Sequence, residues 1–80
     1  MKILEKIFVD FNNADKEGRV RLNTNEAFKD IETKKIMMKA GTNVLLDDHD
    51  GLKTIGILEF SQKENIWVAK IDWNKLNNSL

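Results

Sequence analysis

Cysteine and proline are both absent from this 80-residue chain, which also holds only one histidine. Without cysteine, neither disulfides nor zinc–thiolate sites can staple the fold, so packing or association with another chain must stabilise it. Nothing points to an oxidising compartment. An excess charge of either sign is lacking as well, because thirteen Lys and Arg balance thirteen Asp and Glu. No long-range field therefore steers the chain toward a polyanion, which lowers the expectation of nonspecific nucleic-acid binding and leaves room only for a local patch. Long apolar runs are missing too. The opening MKILEKIFVDF is broken by Glu5, Lys6 and Asp10, unlike the core of a signal peptide. No stretch approaches the ~20 apolar residues of a membrane-spanning helix, so the expected location is cytoplasmic. With no proline, nine asparagines and eleven lysines, the composition fits an AT-rich genome such as that of a low-GC bacterium or a phage.

What the chain does contain is strand patterning. A hydrophobic fraction of 41% and a charged fraction of 32% suit one small domain over residues 1–80 that buries ~60–65% of its unfolded surface. The stretch Leu52 to Trp73 reads as two strands joined by the polar turn Ser61–Asn65. From Ile66 the residues alternate, with Trp67, Ala69, Ile71 and Trp73 on an inward face and Ile66, Val68, Lys70 and Asp72 on the other. Gly56 interrupts the first strand where a bulge or a close backbone crossing would fit. A four-residue loop, Gln62 to Asn65, would set Phe60 across from Trp67 and Leu58 across from Ala69. A three-residue loop would instead set Ile57 across from Ala69. The aromatic pair favours the first register. In that register Ile55, Ile57, Ile66 and Val68 gather on the outer face and need a helix or a partner subunit over them.

Upstream, residues 5–11 read as a strand with Ile7, Val9 and Phe11 inward. After the turn cluster Asn12–Gly18, residues 19–22 form a second strand with Val20 and Leu22 buried and Arg19 and Arg21 outside. The two are expected to pair as a hairpin. Asn23 and Glu26 suggest a capping box, opening a helix over residues 24–35 that docks Ala27, Phe28 and Ile31 on the sheet and pairs Asp30 with Lys34. Thr42–Asp47 restarts strand alternation with Val44 and Leu46 in phase, and the polar tail after Trp73 should fray. The resulting fold class is mainly β (α+β): a small, strongly bent antiparallel sheet or barrel of about five strands with one short helix.

Two resemblances accompany this pattern. The run GTNVLLDDHDGLKTIGILEFSQKENIWVAKID is similar to the strand and turn series of Src-homology-type small barrels. The phrases FVDFNNADKEGRVRLN (residues 8–23) and WVAKIDW (residues 67–73) resemble those of a group of short uncharacterised bacterial proteins, whose acidic loop is longer. The second resemblance implies a stand-alone domain and transfers no activity.

Chemistry is sparsely represented. The loop Asp47, Asp48, His49, Asp50, Gly51 fails as a calcium loop, because the glycine would place Leu46 at position 1 and Ile57 at position 12. A looser divalent-cation site on Asp47, Asp48, His49 and Asp50 is the lesser alternative; a tight Asp50–Gly51 turn with solvated carboxylates explains the loop better, and no metal or other cofactor is expected. His49 has neither a second histidine nor an identifiable nucleophile. No phosphate loop, nucleotide fingerprint or nucleophile elbow occurs, so no catalytic residue is assigned and no enzyme is expected. Arg19 and Arg21, projecting from one strand face, could hold phosphate or carboxylate, with Lys34, Lys35 and Lys39 as a second basic patch. Trp67 and Trp73 are core anchors unless exposed, when either becomes a binding hot spot. The functional expectation is a non-enzymatic, self-associating protein-interaction module whose oligomer face is Ile55, Ile57, Ile66 and Val68, in one version a phage or mobile-element inhibitor. The alternative is a small barrel that binds nucleic acid through the basic patch.

Overall fold

The computed structural model describes the backbone of residues 4–78 and side chains through Leu76. Its elements are β1 (Lys6–Phe8), β2 (Val20–Arg21), α1 (Asn25–Thr33), β3 (Asn43–Asp47), β4 (Leu52–Ser61), β5 (Ile66–Lys70), a 3-10 turn at Trp73–Lys75, and β6 (Asn77–Asn78). The sheet runs β1-β3-β4-β5-β2, with β6 on β4, and curls into a half-barrel. Its concave side holds the core, where Ile7, Val9, Val20, Leu22, Val44, Leu46, Leu58 and Ala69 are almost wholly enclosed.

The β4–β5 hairpin has the four-residue loop. Phe60 lies opposite Trp67 and Leu58 opposite Ala69, and the two aromatic rings meet edge to face with centroids 5.3 Å apart. Such a contact contributes about 0.5–1.5 kcal/mol beyond area burial. Asn65 closes the turn in the left-handed region at φ 58, and the Ser61 hydroxyl accepts the Glu64 N–H at 3.2 Å. Gly56 is a close crossing rather than a bulge, since the pairing runs through it in unbroken register.

Four expectations are corrected. The first and second strands do not pair as a hairpin: β1 runs parallel to β3, and β2 pairs antiparallel with β5, so the sheet is mixed rather than antiparallel. Between β1 and β2 the chain crosses from one end of the sheet to the other, where the segment at Asn13–Asp15 hydrogen-bonds along the outer edge of β2. The helix is shorter than residues 24–35 and starts from Thr24, whose hydroxyl accepts the Ala27 N–H at 3.0 Å. It stops where Lys35 turns left-handed at φ 53, while the N–H groups of Lys35 and Ile36 bond back to the carbonyls of Glu32 and Ile31. That six-residue closure swings Ile36 into the core.

Phe28 does not dock; it is 54% exposed. The helix lies along the free edge of β1, with Ala27, Asp30, Ile31 and Lys34 turned toward it. Asp30 accepts the Phe8 N–H at 2.8 Å, and the Lys34 ammonium donates to the Lys6 carbonyl. These are the backbone groups of β1 that face away from β3, so α1 closes an edge that would otherwise invite strand addition. Finally, while Ser79 and Leu80 lie outside the described residues, the tail as far as Asn78 does not fray directly after Trp73. It forms the 3-10 turn and then pairs with β4 at Leu52 and Lys53.

Two substitutions test this packing. A Cβ at Gly56 would lie 2.8 Å from Leu46 Cδ1 and 3.0 Å from Ala69 Cβ, so Gly56→Ala is expected to destabilise the fold by about 1–3 kcal/mol in urea unfolding. Lys35→Gly removes the left-handed strain and is expected to raise stability by about 0.5–1 kcal/mol.

Candidate functional site

The outer, convex face of the sheet divides into a closed half and an open half. In the closed half, Val68 lies between Arg21 on β2 and Glu59 on β4. Arg19 reaches from beside β2 across β5 to Glu59 at 3.2 Å, and Val68 beneath is fully enclosed. Arg19 also pairs with Asp15 at 2.9 Å and with Glu17 at 3.3 Å. Arg21 grips Glu64 with both forks, at 2.7 and 2.8 Å, and donates to the Ala14 carbonyl at 2.9 Å.

Titration follows from these contacts. Hydrogen bonding to Glu59 leads the causes that raise the Arg19 guanidinium above its ordinary value, and hydrogen bonding to Glu64 does the same for Arg21. Burial pushes the Asp15 carboxyl up, but the hydrogen bonds from Arg19 and the Glu17 N–H, with the Arg19 charge, outweigh it and hold the group below its usual range. The Arg21 fork lowers Glu64.

The open half is a groove of about 710 Å³. Its floor is aliphatic, made by Leu45, Ile55, Ile57 and Ile71, and its rim carries Lys53, Lys70 and Lys75. Ile55 is 54% exposed and Ile57 42% exposed in the middle of the longest strand. Asp72, the rim's one carboxylate, is turned onto the Asn74 N–H at 3.0 Å and caps the 3-10 turn. No ion pair among the described residues engages Lys53, Lys70 or Lys75.

The groove exists because the chain leaves the ladder after Lys70. A continuous β4–β5 ladder would set Asp72 across from Ile55, but the Trp73 indole N–H donates to the Gly18 carbonyl at 2.8 Å, drawing the 3-10 turn toward the Asp15–Gly18 turn. When pairing resumes at Lys53–Asn77, the partner has slipped by three residues. Gly18 at φ 80 leaves room for the indole; a Cβ there would sit 3.2 Å from the indole nitrogen.

No family model, curated protein or solved structure matches the chain.

The residues singled out from the sequence are thus dispersed. Arg19 and Arg21 are committed to carboxylates beside β2, whereas Lys34 and Lys35 lie at the end of α1 against β1, at the opposite end of the sheet. Ile55 and Ile57 are open, Ile66 is half-buried and Val68 is enclosed, so these four share the convex face without making one exposed surface. Trp67 is half-buried against Phe60, and Trp73 is 43% exposed with its N–H occupied.

The acidic loop builds a turn rather than standing solvated. Asp47 is buried and accepts the His49 N–H at 2.7 Å, the bond that chiefly lowers its carboxyl, with the nearby charges of His49, Lys6 and Lys53 adding to it against burial. Asp48 accepts the N–H groups of Asp50 and Leu52. His49, not Asp50, takes the left-handed position before Gly51. No group of three His, Cys, Asp or Glu side chains suited to a metal occurs among the described residues, and no described helix is long and apolar enough to cross a membrane.

Sequence reasoning missed Leu45, Lys53 and Lys75 as site residues. Alternation had placed Lys70 outside, but nothing local announces that the tail bends away and leaves a groove.

Asp15 and Glu64 have folded-state pKa values below their ordinary 3.8 and 4.5. Protonation therefore favours the unfolded chain, and their contribution, full above those ordinary values, is lost as pH falls through the folded ones. The thermal midpoint is expected to drop with pH below about 4.5, and Asp15→Asn should flatten that dependence while lowering the midpoint near pH 7.

Proposed function

We propose that this chain is a non-enzymatic protein-interaction module that docks a partner on the open half of its convex sheet face. The observation that carries this reading is the pair Ile55 and Ile57, about half exposed at mid-strand on an aliphatic floor. Covering both would recover on the order of 2 kcal/mol from water, a useful share of a moderate affinity. The two edge strands of the sheet are covered within the chain: α1 lies on the β1 edge, and the Asn13–Asp15 segment lies on the β2 edge.

Self-association is the less favoured form of this reading. A two-fold contact through the groove would bring Lys53, Lys70 and Lys75 against their own copies, with Asp72 as the one compensating carboxylate on each side. An inhibitor that occludes a host protein's surface, of phage or mobile-element type, is the form that the small size fits. Nucleic-acid binding through Arg19 and Arg21 would have to break ion pairs already made.

The test is site-specific photo-crosslinking in the cell that makes the protein. A crosslinking residue at position 57 is expected to give a discrete protein adduct that Ile55→Asp abolishes, while the same group at exposed Lys29 on α1 gives none. Equal adducts at both positions, or none at 57, would overturn the reading.

A further inference from the structure

Resting on that reading, we infer that the groove accepts an acidic segment of a partner protein, one that presents a single aliphatic or aromatic side chain between carboxylates. Charge complementarity selects this occupant. Three lysines stand around the floor without an ion pair among the described residues, whereas the Arg19 and Arg21 guanidinium groups are all matched to carboxylates. Asp72 offers a partner little, because its carboxylate caps the 3-10 turn. The rim therefore carries net positive charge over an apolar floor, with only Lys53 set across the ladder from a further carboxylate, Asp47, which favours carboxylates flanking an apolar anchor and disfavours both a basic partner and a second copy.

The shape of the opening says how the segment enters. Leu58 and Leu52 direct their backbone bonds toward the β3 side, so by alternation the odd-numbered residues of β4 face β5 and β6. Ile57 is met there by Lys70 and Lys53 by Asn77, but no strand lies across from Ile55. Its N–H and C=O face a gap one residue pair long. A gap that short cannot take an added strand, since the pairings at Lys70 and Asn77 block both ends. The partner therefore inserts a side chain, and the Ile55 backbone supplies one polar contact beside it. Ile71 and Ile57 wall the slot, and the lysines lie within reach of residues on either side of the anchor.

Selection from a random peptide display library on the intact chain tests this, followed by titration of selected peptides into isotope-labelled protein. The expected result is enrichment of Leu or Phe flanked by Asp or Glu, with amide shifts at Lys53, Ile55, Ile57 and Ile71. Lys70→Glu with Lys75→Glu should weaken such peptides on the order of tenfold with an unchanged folded spectrum, and added salt should weaken them as well. Neutral or basic peptides that still shift the groove overturn the acidic class and leave the docking face standing. Groove shifts on concentrating the chain alone make a second copy the occupant and overturn the inference. Failure of every peptide to shift the groove overturns it too, and with no crosslink at position 57 the docking face falls with it.

Discussion

Backbone satisfaction along β4 is the constraint on which the rest of the structure depends. This ten-residue strand is flanked by β3 on one side and by β5 and β6 on the other. Each buried N–H and C=O left without a partner would cost about 1–3 kcal/mol, so a long central strand dictates where its neighbours lie. Gly56 lets β4 pass within contact of Leu46 and Ala69, drawing the three strands around one core. Between its pairings with β5 and β6, the interval at Ile55 has no strand across it among the described residues and opens to solvent, where water or a partner can meet the freed groups.

Charge and apolar surface are then sorted across a single sheet face. Over β5 and β2, arginines cover Val68 and are balanced by Asp15, Glu17, Glu59 and Glu64. The more open of these pairs contribute little each, about 0–1 kcal/mol, but with the largely enclosed Arg19–Asp15 pair they fix the Asp15–Gly18 turn in place. That turn offers the Gly18 carbonyl to Trp73, and the diverted tail leaves the groove behind it. The structural half of the face thereby builds the open half. The arginines serve the fold, and the rim lysines make no ion pair among the described residues.

Much of the C-terminal hairpin was legible because its cues are local. Alternation assigns Leu58 and Ala69 to one face, the Phe60–Trp67 pair sets the register, and Asn65 suits a left-handed turn position. The N-terminal half was less legible, since two strands close in sequence need not pair. Val20 and Leu22 were correctly placed inside, yet their strand pairs with β5 from far along the chain. Periodicity on α1 identified Ala27 and Ile31 but misjudged Phe28, because Asp30 has to face β1 to take the Phe8 N–H and the helix rotates to suit.

By itself the sequence determined which side chains are apolar, where strands alternate and where turns fall, because those follow from neighbours a few residues apart. Only the tertiary structure decided that β1 joins β3 in parallel, that Val68 is roofed by Arg19 and Glu59, and that Lys53, Lys70 and Lys75 surround Ile55 and Ile57. These depend on hydrogen-bond partners distant in the chain, above all Trp73 and Gly18, and a one-dimensional pattern carries no record of which distant donor meets which acceptor.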